Sequence, residues 1–146
     1  MIKKFLTLLL VLASAAAWAE CSITAERTST VVDAQKNTNW DGWNLKNYDA
    51  VCAKLAKANA RMLIVGEAVV LSNRSIGWVM VGLKDRTSDI STFHFASSRT
   101  TVNDHASQDT ANSLLVESMH MAVDNWQRLD EAIAALDKAR AAARKK

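Results

Sequence analysis

Apolar residues along this chain switch between the two-residue period of a strand and the three-to-four-residue period of a helix. Residues 22–32 are rich in Thr, Ile and Val and read as a strand, followed by a polar connection over 33–39. Leu45, Tyr48, Val51, Cys52 and Leu55 recur at steps of three and four, which predicts a helix over 45–59 with Asn44 at its N-cap. Three runs then read as consecutive antiparallel strands, 62–71, 76–84 and 90–101, with polar turns at 72–75 and 85–88. The first of these is apolar on both faces, which predicts a central, covered strand.

Asp104 to Ser107 offer N-caps for the next helix. From there Leu115, Met119, Ala122, Trp126, Leu129, Ile133 and Leu136 alternate at steps of four and three, a heptad seam that no Gly or Pro interrupts. A single helix over 107–142 would be roughly 54 Å long at ~1.5 Å per residue. A domain of this size is about 30–35 Å across. The helix must therefore bend near Asn125, or project and offer Leu129, Ile133 and Leu136 to a partner or a second copy of the chain. The expected fold is α+β: a single-domain two-layer sandwich, an antiparallel or mixed sheet of about four strands with two helices, the C-terminal one long.

The N-terminus reads differently. Lys3 and Lys4 precede an apolar stretch from Phe5 to Leu12, and Ala17-Trp18-Ala19 supplies small residues at −3 and −1. That is the pattern of a secretory signal peptide cut after Ala19, and the short basic start points to a bacterial periplasm. The apolar stretch is too short to span a bilayer. Glu20 stands immediately before Cys21, where a lipobox requires a small residue, so no lipid anchor is expected. The organisation is then a signal peptide at 1–19, an α/β domain at 20–128 and a helical extension with a basic tail at 129–146. In an oxidising compartment Cys21 and Cys52 are expected to form one disulfide. It would close a loop of about 32 residues and contribute roughly 3–4 kcal/mol.

Charge narrows the partners. Without Lys3 and Lys4 the basic count falls from 18 to 16 against 15 acids, a net charge of about +1. Lys138, Arg140, Arg144, Lys145 and Lys146 crowd the last nine residues, so the basic pI reports a leader and a tail and is no argument for nucleic acid. The tail either caps a solvated helix end, where cations suit the helix dipole, or meets an anionic membrane surface or an acidic partner.

Within the stretch MLIVGEAVVL, Glu67 is a carboxylate in an apolar strand. Tight turns at both hairpins would pair Glu67 with Met80 and Met80 with Phe93, and set Trp78 opposite Val69 and Phe95. Alternation then gathers Leu63, Val65, Glu67, Val69, Trp78, Met80, Phe93 and Phe95 on a bulky face. Ile64, Gly66, Ala68, Val70, Val79, Val81, Leu83, Ile90 and His94 form a smoother one. If helices cover only the smooth face, the aromatic face is an exposed contact patch with Glu67 as its polar anchor. If both are covered, Glu67 is buried and needs a cation such as Arg99, Arg61 or Lys84.

The run LAKANARMLIVGEAVV, then VMVGLKDRTSDI, then LLVESMHMAVDNW resembles the small α/β domain at the N-terminus of the Tol-system periplasmic protein and the related domain of curli-secretion and flagellar-assembly envelope proteins. In that family a helix leads through an alanine-rich step into a strand of LIVG type, and a second strand ends in an Asp-x-x-Thr turn, here at Asp85 to Ser88. The family places a glycine after that threonine where this chain has Ser88, and its first strand is more apolar than residues 22–32. The resemblance spans about 45–126. It implies an α/β sandwich that works through protein contacts in the envelope, with no catalytic residues to carry over.

Catalytic chemistry finds little support. His94, His105 and His120 lie far apart and make no metal-ligand spacing with each other or with Cys. No G-x-S-x-G elbow, phosphate loop or dinucleotide fingerprint occurs. Trp40 and Trp43 flank a turn at Asp41-Gly42, either covering the entrance to the first helix or clamping a peptide, sugar or partner loop. The expectation is a non-enzymatic, periplasmic protein-binding module without cofactor or metal, acting as an envelope assembly or accessory factor; the alternative is an immunity or inhibitor protein against a periplasmic toxin or hydrolase. Its expected contact residues are Glu67, Trp78, Met80, Phe93, Phe95, Trp40, Trp43, Leu129, Ile133 and Leu136.

Overall fold

The computed structural model describes residues 21–145. The expected signal peptide lies outside them. The described chain runs β1 (Ala25–Arg27), α1 (Ser29–Asn37), α2 (Tyr48–Lys57), β2 (Ala60–Val70), β3 (Ser75–Asp85), β4 (Ser91–Asn103), α3 (Gln108–Asp124) and α4 (Leu129–Ala143). The four strands form one mixed sheet in the order β1-β2-β3-β4, with β1 parallel to β2 and the other neighbours antiparallel. The α+β class and the four strands match the sequence expectation. The helix count does not: there are four helices where two were expected.

Both extra helices have physical reasons. The stretch read as a long first strand pairs only over Ala25–Arg27, then turns helical from Ser29. Its Thr and Val residues favour strands, but Val31, Ala34 and Gln35 recur at helical spacing and are buried beside α3. Burial overrides the local preference. The second extra helix arises because the heptad seam breaks. Asn125 ends α3, its side-chain Nδ2 donating to Met121 O at 2.8 Å. The next residue, Trp126, sends its indole Nε1 to Phe95 O at 2.8 Å. The chain turns there, and α4 packs back against β4 and β3. No projecting helix results.

The core lies between the helices and one face of the sheet. Met62, Ile64, Val79, Val81 and Leu83 point into it, together with Leu55 of α2, Leu115 and Met119 of α3 and Leu136 of α4. α3 crosses so close to β3 that a Cβ on Gly77 would run into the backbone of Leu114 and Leu115. Thr101 Oγ1 donates to Leu114 O at 2.9 Å and Ser118 Oγ to Gly77 O at 3.0 Å, tying helix to strands at that crossing. α3 itself starts at Ser107, whose Oγ accepts from Thr110 N at 3.1 Å. The disulfide joins Cys21 to Cys52, Cα to Cα 6.0 Å, and ties the segment before β1 to the buried face of α2.

Candidate contact surfaces

Glu67 stands opposite Trp78, and Val65 opposite Met80. The pairing expected from tight turns is displaced by two residues because the first hairpin closes earlier, with Leu71 N donating to Arg74 O at 2.8 Å. A two-residue shift preserves strand parity, so the face expected for Glu67, Trp78 and Met80 is the face they occupy. All four helices sit on the opposite side. β2 is thus internal to the sheet but covered on one face only, a correction to the covered strand expected from its apolar run.

The open face carries Leu63, Val65, Val69, Ile76, Trp78 and Met80, all partly exposed. Phe93 lies over Gly82, where a Cβ would come within 2.6 Å of its ring. Phe93 is 37% exposed and Val102, opposite Ile76, is 52% exposed. The end of the face nearest β1 is closed by charge pairing: Glu26 meets Arg61 and Lys84 at 3.0 Å each, and Lys84 meets Asp89 at 3.0 Å. Hydrogen bonds from Lys84 depress the Asp89 pKa, and those from Asp89 and Glu26 raise that of Lys84. Two of the cations considered for Glu67 are therefore engaged elsewhere. The Glu67 side chain is exposed and makes no ion pair or side-chain hydrogen bond among the described residues.

Phe95 does not join this face. Between Leu83–Thr92 and Val81–Ser97 the register breaks, so residues 93–96 of β4 face Gly82 alone. Within this bulge Phe95 has φ +60°, and its exposed ring lies under the Arg128 guanidinium, 4.1 Å from its centroid. Bulges redirect side chains in this way, and no alternation rule reveals one from sequence. Leu129 and Leu136 are core residues and Ile133 is packed against that core, so the seam is satisfied inside the chain and is not a free partner surface.

Trp40 and Trp43 do come together. Their rings meet edge to face with centroids 5.6 Å apart, and both pack against the core beside the α1–α2 connection. Trp40 Nε1 donates to His120 Nε2 at 2.9 Å, and the Arg27 guanidinium lies 5.1 Å from the Trp40 centroid and 5.9 Å from that of Trp43. Burial holds the His120 pKa below its ordinary value, against the opposing pull of Asp124 and Asp41. Arg27 and His120 were not foreseen as members of this cluster. They come from β1 and α3, and only tertiary packing unites them. Among the described residues no group of three or more His, Cys, Asp or Glu is placed to hold a metal, and no helix is long and apolar enough to cross a membrane.

No family model and no curated protein matches this chain. Among solved structures it is similar to a minor lipoprotein from Acinetobacter baumannii, at 12% identity, over 77% of this chain and 91% of that one, with a TM-score of 0.27. A superposition that poor carries no argument about fold or function.

Proposed function

We propose that this chain is a non-catalytic protein-binding module of an oxidising, extracytoplasmic compartment, and that the open face of its sheet is the contact surface. One observation carries the reading: an apolar sheet face, with Trp78 and Met80 near its centre and Phe93 and Val102 exposed on it, has none of the described helices over it. Exposed apolar patches of this kind mark interaction sites. Trp and Met are also among the residues enriched at the centres of protein interfaces. Glu67 is the charge on this face that no cation balances among the described residues. The complementary partner is a protein surface with an apolar centre and one basic side chain set to meet Glu67. The Cys21–Cys52 bridge supports the compartment, since such bonds persist where thiols are not kept reduced. The envelope role follows the resemblance to the Tol and curli-secretion domains.

A photo-crosslinking amino acid placed at Trp78 or Val102 in the secreted protein tests the reading. The expected result is a discrete heavier adduct from both positions, absent from a control position at Lys57 on α2. It is lost when Glu67→Lys is added. No adduct from either sheet position in cells, with the protein folded and disulfide-bonded, would overturn it.

A further inference from the structure

A groove of about 760 Å³ runs between β4 and α4, on the other side of the molecule's edge from the open sheet face. Four features converge there. Its helical wall presents Ala134, Ala135, Ala139 and Ala142, short side chains that leave room for a guest. Its other wall is the outer edge of β4, the last strand of the sheet. Thr92 pairs with Leu83, and Asp85 N donates to Ile90 O at 2.8 Å. In an antiparallel ladder the bonded positions alternate, so the backbone N–H and C=O of Ser91, between Ile90 and Thr92, turn outward. Third, the bulge delivers Phe95 to the groove in a left-handed conformation that bulky residues rarely adopt, held by the bond from Trp126 to its carbonyl. Strained residues of this kind cluster at binding sites. Fourth, the groove's two charged residues are unequal. Glu131 is engaged by Arg128 at 3.3 Å, whereas Lys138 has no ion pair among the described residues.

We propose that this groove docks an extended apolar peptide segment bearing a carboxylate. The peptide backbone pairs with the outward N–H and C=O of Ser91 along the strand edge. An apolar side chain seats against the alanines and Phe95, and the carboxylate meets Lys138. The free strand edge selects a peptide over a small amphiphile, because only a backbone can use it. The unpaired lysine selects an acid. This site is separate from the open sheet face and does not depend on it.

The probe is a pool of hexapeptides alternating apolar residues with Thr and ending in Val or Leu with a free carboxylate. Companion pools are C-terminal amides, with or without a Glu near the end. Titrated into the isotope-labelled, disulfide-bonded protein, the free-acid pool should shift the amide resonances of residues 91–95 and 134–142. The plain amide pool should bind about tenfold more weakly, as expected for losing a charge-assisted pair. Binding of the Glu-bearing amide would assign the carboxylate to a side chain; its failure would assign it to a chain end. Ala139→Trp should fill the groove and abolish the shifts while circular dichroism stays native. Lys138→Glu should remove the preference for acid. Trp78→Ala with Val102→Ala, both on the open sheet face and outside the groove, should change neither. Shifts confined to the Trp78 face, no shifts at all, or unchanged binding by Ala139→Trp would overturn the proposal.

Discussion

Arg140 of α4 reaches Asp85 at the end of β3, its Nε 2.7 Å from Oδ2. The same guanidinium donates to Ala58 O at 3.0 Å and Asn59 O at 2.9 Å, and also holds Asp137 at 2.7 Å. One side chain thus joins the last helix to the end of α2 and to the third strand. Asp85 is ready for it: the hydroxyl and the N–H of Thr87 both donate to Oδ1 at 2.8 Å. Those bonds, with Arg140's, hold its carboxyl far below the usual carboxylate range, so it stays ionised. Replacing Arg140 by Met should therefore lower stability by on the order of 3 kcal/mol, since it leaves the buried Asp85 carboxylate without its cation and the Ala58 carbonyl without its side-chain donor. Urea unfolding of the variant measures it, and a loss within error would make the contact incidental.

Leu136 is fully buried and Leu129 nearly so. Leu136→Ala should cost about 2–5 kcal/mol, as for other core truncations. Deleting the chain after Gln127 should yield an unfolded or aggregating product. Native-like circular dichroism and a retained cooperative transition in the truncated protein would show that α4 is an appendage after all.

His120 accepts a proton-dependent bond. Its Nε2 can receive the Trp40 indole N–H only while unprotonated. Its folded pKa is lowered, so the native state holds the proton less tightly than the unfolded chain. Its contribution to stability is full above the unfolded value of about 6.5. That contribution is lost as the pH falls through the lower folded value. Tryptophan fluorescence should change with a midpoint below about 6.5, and His120→Phe should remove the transition. A change of equal size in that variant would place its origin elsewhere.

Gly77 should tolerate no side chain. Gly77→Ala forces α3 off the sheet and should cost about 3 kcal/mol or more. Thermal melts would register this as a fall of many degrees. A Tm within a degree or two of the parent would mean that α3 can shift freely at its closest crossing.

The Cys21–Cys52 bridge spans 31 residues of sequence and anchors the segment leading into the three-residue strand β1. Cys21→Ser with Cys52→Ala should lower stability by about 3 kcal/mol. Hydrogen exchange should accelerate first in β1 and α1, with β3 still protected. Uniform acceleration across the whole sheet would contradict this localised anchoring.

Strand parity was legible in the sequence because side chains alternate with a strict period of two. Glu67, Trp78 and Met80 share a face even though the hairpin register differs by two residues from the one expected. The disulfide was legible because the sequence holds only two cysteines. The start of α3 was legible because a serine cap precedes its apolar stripe. Three features were decided only in the folded molecule. Residues 29–37 are helical because burying Val31 and Ala34 against α3 outweighs the strand preference of Thr and Val. The heptad seam folds back on itself because Trp126 finds the Phe95 carbonyl and Leu136 finds the core, contacts between residues far apart in sequence. Phe95 leaves the face that alternation assigned to it because a four-residue bulge faces one glycine, which no periodicity encodes. Local spacing determines which side chains lie together on an element. Which face is covered, and which is left open, follows from how distant elements fill a common volume.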